Sequence, residues 1–455
     1  MDFKKLENFI YSKVTETRLP GVSVALSRDG ETIWERGFGV NHIDKMEPAT
    51  PETIYGIASV TKSFTALAIM QLAEAGKLSV EDPISTYLPV DIRPFSEPIR
   101  IHHLMSHTSG IGALASSERV LRIANGVVDG WLPLATADDL YTYLDGAEEW
   151  VVARPGERHL YLNEGYLLLG EIIANLSGMR YEDYVHQHIL TPLGMNRTFY
   201  KIAELEADYD VTTPHLITPT QQIPKAFPFN MLSAAGRLAS NTRDLLRYVQ
   251  MYLNGGELDG TRVISSQSIE QMMAPRVNKS LDGGYFGQEE YGYGLGTTPD
   301  VFGKRLVGHS GSIGVCTSYM GMIPEEKLGV VVLANGTGYS PMMMAIAALG
   351  TALGQDPADL PFERDERILK QLTGRYETFR GNTSVTVKRD GTYLMVQSKD
   401  KIYDITTPLA VQSISAEKCV FTVPAPEQTL TVEFIIKDDT VDMVFERYLF
   451  RKVSS

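Results

Sequence analysis

Two short runs near the start of the chain, residues 22–27 and 31–35, carry apolar side chains and are joined through Arg28-Asp29-Gly30. This predicts a β-hairpin closed by an Asp-Gly turn. The stretch from Ser59 to Gly76 has another texture: Phe64, Leu67, Ala68, Ile69, Met70, Leu72 and Ala73 leave almost no polar face. A helix with that pattern is enclosed by a larger domain. Leu167, Leu168, Leu169, Ile172 and Ile173 predict a second apolar helix over 165–178, and the segment around His102 to His107 belongs to the same mostly helical region. Residues 305–307, 317–323 and 329–334 then predict consecutive strands, the last a near-continuous apolar run typical of a buried strand. A closing helix is expected over 342–353. Strands at both ends with helices between imply an α/β sandwich whose first and last segments share one antiparallel sheet.

The pattern changes near Gly354. Gln355-Asp356-Pro357-Ala358-Asp359-Leu360-Pro361 is polar and proline-bearing, and a linker is expected over 356–370 between a domain at 1–355 and another at 371–455. Beyond it come short alternating runs only: 383–387, 393–397, 402–406, 419–423, 429–436, 441–445 and 448–451. Turn signals such as Arg389-Asp390-Gly391 and Lys437-Asp438-Asp439 separate them. About eight short strands predict a small closed antiparallel barrel.

Size agrees with this division, since 455 residues exceed what one core usually serves. A net charge of −14, with no stretch that concentrates Lys or Arg, excludes nucleic acid as a partner. No apolar run approaches the 18 or so residues of a membrane span, and Met1-Asp2-Phe3-Lys4-Lys5-Leu6-Glu7 lacks the apolar core of a secretion signal. The expected location is the cytoplasm. Cys316 and Cys419 have no close spacing for a metal clip or redox pair and read as buried thiols.

Chemistry enters with Ser59-Val60-Thr61-Lys62. On a helix this spacing sets a hydroxyl and an amine on one face, about 4.5 Å apart along the axis. Serine needs a base, and a lysine serves only if burial brings its pKa from about 10.4 toward roughly 7 to 8. A serine opening a helix also acts as a cap, so the pair needs further groups around it. Tyr161-Leu162-Asn163, in a loop just ahead of the 165–178 helix, offers a phenol and a carboxamide. His309-Ser310-Gly311 follows the strand at 305–307, where glycine would let a substrate backbone lie against the strand edge. His102, His103 and His107 have helical spacing but no accompanying carboxylate pattern, so no metal is expected.

These three elements, in this order, resemble the penicillin-recognising serine hydrolases: class C β-lactamases, D-alanyl-D-alanine carboxypeptidases, D-aminopeptidases and related esterases. Tyr55-Gly56-Ile57-Ala58 ahead of Ser59, His103-Leu104-Met105-Ser106-His107-Thr108-Ser109-Gly110, Pro155-Gly156, Glu164-Gly165-Tyr166 and Pro192-Leu193-Gly194-Met195 extend the likeness over roughly residues 8 to 355. It implies a β-lactamase-type α/β fold with an all-helical subregion, and no cofactor. It implies Ser59 as nucleophile, Lys62 as its base, Tyr161 as proton shuttle to the leaving group, and Asn163 as holder of the substrate amide. His309 would position or polarise, Ser310 would bond the substrate, and the N–H groups of Ser59 and Ser312 would form the oxyanion hole. His103 and His107 become structural, while His186 and His188 are left to the surface.

One departure stands out. Where β-lactamases carry Lys-Thr-Gly, this chain has His309-Ser310-Gly311, exchanging a permanent cation for a group that titrates near 6.5. The expected function is therefore a serine peptidase acting through an acyl-enzyme on small peptides, D-residue-containing ones foremost, with an esterase of the same fold and a non-catalytic receptor as alternatives. Gly374-Arg375-Tyr376 and Arg451 resemble the pattern of lipocalin-like barrels. The domain order is similar to that of an archaeal D-peptidase forming a closed cubic particle, which implies a homo-oligomer, an octamer. The loops at 113–132 and 278–290, on which endo or exo cleavage depends, have no conformation readable from sequence.

Overall fold

The computed structural model describes residues 2–228, 233–279, 284–391, 393–424, 428–438 and 440–454. The chain falls into two compact units, Met1–Gln355 and Asp356–Ser455.

In the first unit, β1 (Gly21–Arg28) and β2 (Glu31–His42) form the expected hairpin. Asp29 (φ 53) and Gly30 (φ 86) both take the left-handed conformation that a two-residue turn of this twist requires. β1 also pairs antiparallel with the strand Leu328–Ala334, Val22 opposite Ala334, so the two ends of this unit meet in one sheet. Nine strands make up that sheet. From one edge they run Val277–Asn278, Glu290–Tyr291, β3 (Gly296–Val301), β4 (Lys304–Ser312), β5 (Thr317–Ile323), β6 (Leu328–Ala334), β1, β2 and Glu47–Pro48. Every neighbouring pair is antiparallel.

Helices cover the sheet. α1 (Thr61–Glu74) is buried over most of its circumference and stops before Gly76, whose φ of 68 ends it. α2 (Ser116–Ala124) comes from the stretch sequence left as a loop. α3 (Asn163–Ser177) ends at Gly178 with φ 71, and α4 (Pro341–Ala352) is capped by Ser340. Phe64, Leu67, Tyr166, Leu169, Tyr248 and Val331 belong to one continuous core. Cys316 and Cys419 are both buried and free.

Three expectations change. Ser59 is not inside the helix: it lies in a 3-10 turn, Ala58–Val60, and α1 begins at Thr61. His309-Ser310-Gly311 does not follow its strand but forms part of β4, because pairing with β5 continues through Ser312 opposite Thr317. Asn163 is the first helical residue of α3 rather than a loop residue.

The second unit is a closed barrel of eight antiparallel strands between Gly374 and Ser454. Tyr376 opposite Lys452 and Glu377 opposite Arg451 seal it, so that no strand edge is left unpaired among the described residues. Phe421, Phe434, Val432 and Met443 fill its interior. The segment read as a linker, 356–370, is largely a helix. α5 (Pro361–Leu372) starts with proline in the first turn and buries Ile368, Leu369 and Leu372 in the barrel core. An apolar stripe on a polar helix is easily taken for a polar connector. Asp439 of the Lys437-Asp438-Asp439 turn lies outside the described residues. Among the described residues no helix is long and apolar enough to cross a membrane.

Candidate active site

The loop into α1 is set by main-chain anchors. Ile57 N–H donates to Leu238 O at 2.9 Å, Ser318 Oγ donates to Ile57 O at 2.7 Å, and Leu238 N–H donates to Thr61 Oγ1 at 3.2 Å. Between these anchors Ala58 is held at φ 50, a left-handed conformation costing a residue with a Cβ roughly 1–2 kcal/mol. The next residue, Ser59, faces a cavity of about 460 Å³. Tyr161, Asn163, His309, Ser310, Gly311 and Ser312 line the same cavity. Residues separated by more than 200 positions thus converge on one space.

Lys62 lies behind the serine, fully buried. Ser59, in the turn that leads into α1, and Lys62, in the first turn of α1, are three residues apart and share a face, and Lys62 Nζ lies 3.2 Å from Ser59 Oγ. Nζ also donates to Asn163 Oδ1 and to Ala235 O, each at 2.7 Å. Burial lowers the amine from its ordinary 10.5 to about 7, against an opposing pull from Glu118 and Glu164. Near neutral pH a large fraction of Lys62 is therefore unprotonated. In that form it keeps two N–H donors for the Asn163 and Ala235 oxygens and presents its lone pair to the serine hydroxyl.

Tyr161 is positioned by His107. The His107 ring lies 4.0 Å from the Tyr161 ring, its Nδ1 accepts from Leu162 N–H at 3.0 Å, and its main-chain oxygen accepts from Leu160 N–H at 2.7 Å. Burial pushes the Tyr161 phenol above its ordinary range, although a hydrogen bond with Ser59 opposes this. It is a phenol and not a phenolate at neutral pH. His103 caps its own helix, with Nδ1 accepting from Arg100 N–H at 3.0 Å. His186 is exposed, and His188 is half-buried against Tyr184.

His309, expected to position or polarise, lies in the cavity wall. Its Nδ1 donates to Ser310 O at 2.6 Å and its Nε2 accepts from Tyr291 O–H at 2.8 Å. Burial and the nearby Lys62 hold its pKa down at about 3. Both ring nitrogens are committed and the ring is neutral, so His309 shapes the cavity wall without offering a charge. Gly311 also has another reason than the one expected: a Cβ there would overlap Ile57 O and Ser318 Oγ. Glycine lets β4 press against the turn that carries Ser59.

Sequence reasoning missed Glu118, Tyr291, and the Lys279–Glu289 ion pair on the cavity wall. Glu118 Oε1 accepts from Asn163 Nδ2 at 3.1 Å, so the Asn163 amide bridges Lys62 and a carboxylate. Ser116-Ser117-Glu118 carries no chemical signature that spacing could have exposed. Of the 278–290 loop, residues 280–283 lie outside the described residues. Among the described residues no cluster of His, Cys, Asp or Glu is arranged to hold a metal ion.

A serine facing a cavity with a buried lysine behind it, joined by a tyrosine and an asparagine and set between an antiparallel sheet and an all-helical region, defines a serine hydrolase of the β-lactamase type, and the chain belongs to the β-lactamase family, whose model matches residues 6–352. Residues 357–451 match a second model, the Pab87 octamerisation domain. The octameric penicillin-binding protein homologue from Pyrococcus abyssi is 41% identical, with a TM-score of 0.94 over 99% of this chain and 100% of that one. Protein flp of Staphylococcus aureus (strain MW2) is 28% identical over 350 residues, 75% of this chain; the match spans 65% of that relative's length. The D-amino acid amidase from Ochrobactrum anthropi shares the fold at 22% identity, with a TM-score of 0.62 over 77% of this chain and 98% of that one.

Proposed function

We propose that the protein is a serine peptidase that cleaves small peptides, D-residue-containing ones among them, through an acyl-enzyme. The observation that carries this reading is the contact of Lys62 with Ser59, with the amine brought to about 7 by burial. Neutral Lys62 removes the Ser59 proton as Oγ attacks the scissile carbonyl, and the developing oxyanion is held by the main-chain N–H groups of Ser59 and Ser312. Loss of one such donor typically costs about 3 kcal/mol in the transition state. Tyr161 gives its proton to the leaving amine and is reprotonated by the Lys62 ammonium, which holds the proton taken from Ser59. Water then repeats the sequence on the acyl-enzyme, with the same base.

The peptide preference draws on His309. A neutral ring at this position of β4 provides no buried cation for the carboxylate that a β-lactam must present, whereas an amide needs only hydrogen-bond partners. The reading is supported by the likeness in fold to a D-amino acid amidase. An esterase would use the same nucleophile and oxyanion donors. A non-catalytic receptor would have no need for a lysine tuned to act as a base. The match at 357–451 and the octameric homologue support a homo-octamer built through the barrel.

Intact mass after incubation with a fluorophosphonate, for the parent and Ser59→Ala, tests the nucleophile; an adduct on both proteins, or on neither, would sink it. A panel of D- and L-peptides with free and blocked ends tests the substrate. Turnover of p-nitrophenyl esters with none of any aminoacyl amide would assign the esterase instead.

A further inference from the structure

Glu164, which directly follows Asn163, is 1% exposed. Its Oε1 accepts from both the main-chain N–H and the hydroxyl of Ser116, the first residue of α2. A carboxylate is favoured at a helix N-terminus, where free N–H groups and the helix dipole meet it. Two residues further along α2, Glu118 reaches Asn163 Nδ2, and the Asn163 oxygen receives the Lys62 amine. The connections form a loop that begins and ends on adjacent residues of α3: Glu164 to Ser116, along α2 to Glu118, and back to Asn163.

We propose that Glu164 is a positioning residue for the base: it docks the start of α2 so that Glu118 steadies the Asn163 amide, and it holds a carboxylate near Lys62 without pairing with it. The inference rests on the reading of Lys62 as base. The three hydrogen-bond acceptors around Nζ are neutral: Ser59 Oγ, Asn163 Oδ1 and Ala235 O. The two carboxylates that act on the amine do so through space, and both raise its proton affinity. From the other elements packed on Nζ come the Tyr161 and Tyr166 rings, at 4.9 and 5.4 Å, and His107 and His309, which burial keeps neutral. A direct ion pair would hold Lys62 as ammonium; burial with no carboxylate nearby would leave an amine too weak to take the serine proton. Glu164 and Glu118 at one remove set a base strength near the working pH, where general-base catalysis is most efficient.

The sign of the effect is fixed. Replacing Glu164 by glutamine keeps an acceptor for Ser116 and removes the charge, so Lys62 loses protons more readily. The rate of fluorophosphonate labelling and kcat/KM on p-nitrophenyl acetate should both show an acid limb near pH 7 in the parent. In Glu164→Gln that limb should move down by about half to one pH unit, with a lower plateau, and Glu118→Gln should move it the same way. Glu118 is exposed, so its variant provides the measurement should Glu164→Gln fail to fold. An unshifted limb in the folded variants, whatever happens to melting temperature or plateau, would make Glu164 a structural cap only and overturn the proposal. If instead Lys62→Met labels at the parent's rate with the parent's acid limb, the base reading itself fails and this inference falls with it.

Discussion

A Cβ on Gly311 would overlap the carbonyl oxygen of Ile57, so β4 and the turn before the nucleophile touch main chain to main chain. Ile57 O also accepts from Ser318 Oγ on the neighbouring strand at 2.7 Å. The proposed oxyanion donors sit on either side of this contact, Ser59 two residues beyond Ile57 and Ser312 next to Gly311. Their separation is set by backbone that cannot rearrange as a side chain can.

Gly311→Ala should therefore fold less stably by about 1–3 kcal/mol and lose activity out of proportion, because the two donors are forced apart. Urea melts and kcat on a p-nitrophenyl ester measure both. Parent-like turnover would show that the spacing is not set here.

Lys62 should cost the fold stability in a defined pH window. Its pKa is lowered from 10.5 in the unfolded chain to about 7 in the folded one, so the unfolded state binds the extra proton between those values. The cost, roughly 5 kcal/mol, is fully present below pH 7 and disappears as pH rises toward 10.5. Lys62→Met removes it while leaving Asn163 Oδ1 and Ala235 O without their donor. The variant's stability relative to the parent should thus fall by at least about 2 kcal/mol between pH 6.5 and 9.5, alongside loss of activity. Denaturant midpoints at the two values decide it, and an offset independent of pH refutes it.

Acid should weaken the first unit ahead of general carboxylate titration. Burial keeps His309 and His103 near 3, His159 near 4, and His107 well below 6.5, whereas the unfolded chain protonates all four near 6.5. Each adds no term above about pH 6.5, where both states are neutral, and imposes a cost that grows as pH falls below it, by up to about 1.4 kcal/mol per pH unit. Trp34, Trp131 and Trp150 all lie in this unit, so their fluorescence reports its unfolding. The urea midpoint should drop between pH 6.5 and 4.5, and His309→Gln should flatten the slope by about one proton. An identical slope in that variant would contradict the neutral histidine.

The barrel surface should carry the assembly contact. Ile402, Tyr403 and Ile405 are 82%, 61% and 54% exposed, side by side where two strands meet. Exposed apolar clusters of this kind mark association surfaces. Ile402→Lys combined with Tyr403→Lys should yield smaller particles by light scattering, with barrel strand content unchanged by circular dichroism. Particles of unchanged mass would place the contact elsewhere.

The legible part of this protein was what local chemistry encodes. The apolar run after Ser59, the Asp29-Gly30 turn, the continuous β6 and the alternating runs beyond residue 371 gave each element its type, because periodicity reflects which face must be buried. Ser59, Lys62, Tyr161 and Asn163 could be named because their motifs, in this order, resemble those of a known family; each motif alone was open to a structural reading. What sequence left open depended on neighbours distant in the chain. Periodicity could not carry β4 through Gly311, since the ladder to β5 sets its length. The α5 helix passed for a linker because its apolar stripe has meaning only against the barrel core. His309 read as a titratable group, and burial beside Lys62 and Tyr291 made it a neutral wall. Glu118 had no signature, and Glu164 showed only as part of a matching segment with no role attached, because the influence of a carboxylate on an amine depends on the distance between them. The sequence by itself determined the chemical groups and the elements that bear them; the tertiary structure decided their charge and their reach, since both follow from burial and from contacts hundreds of residues apart.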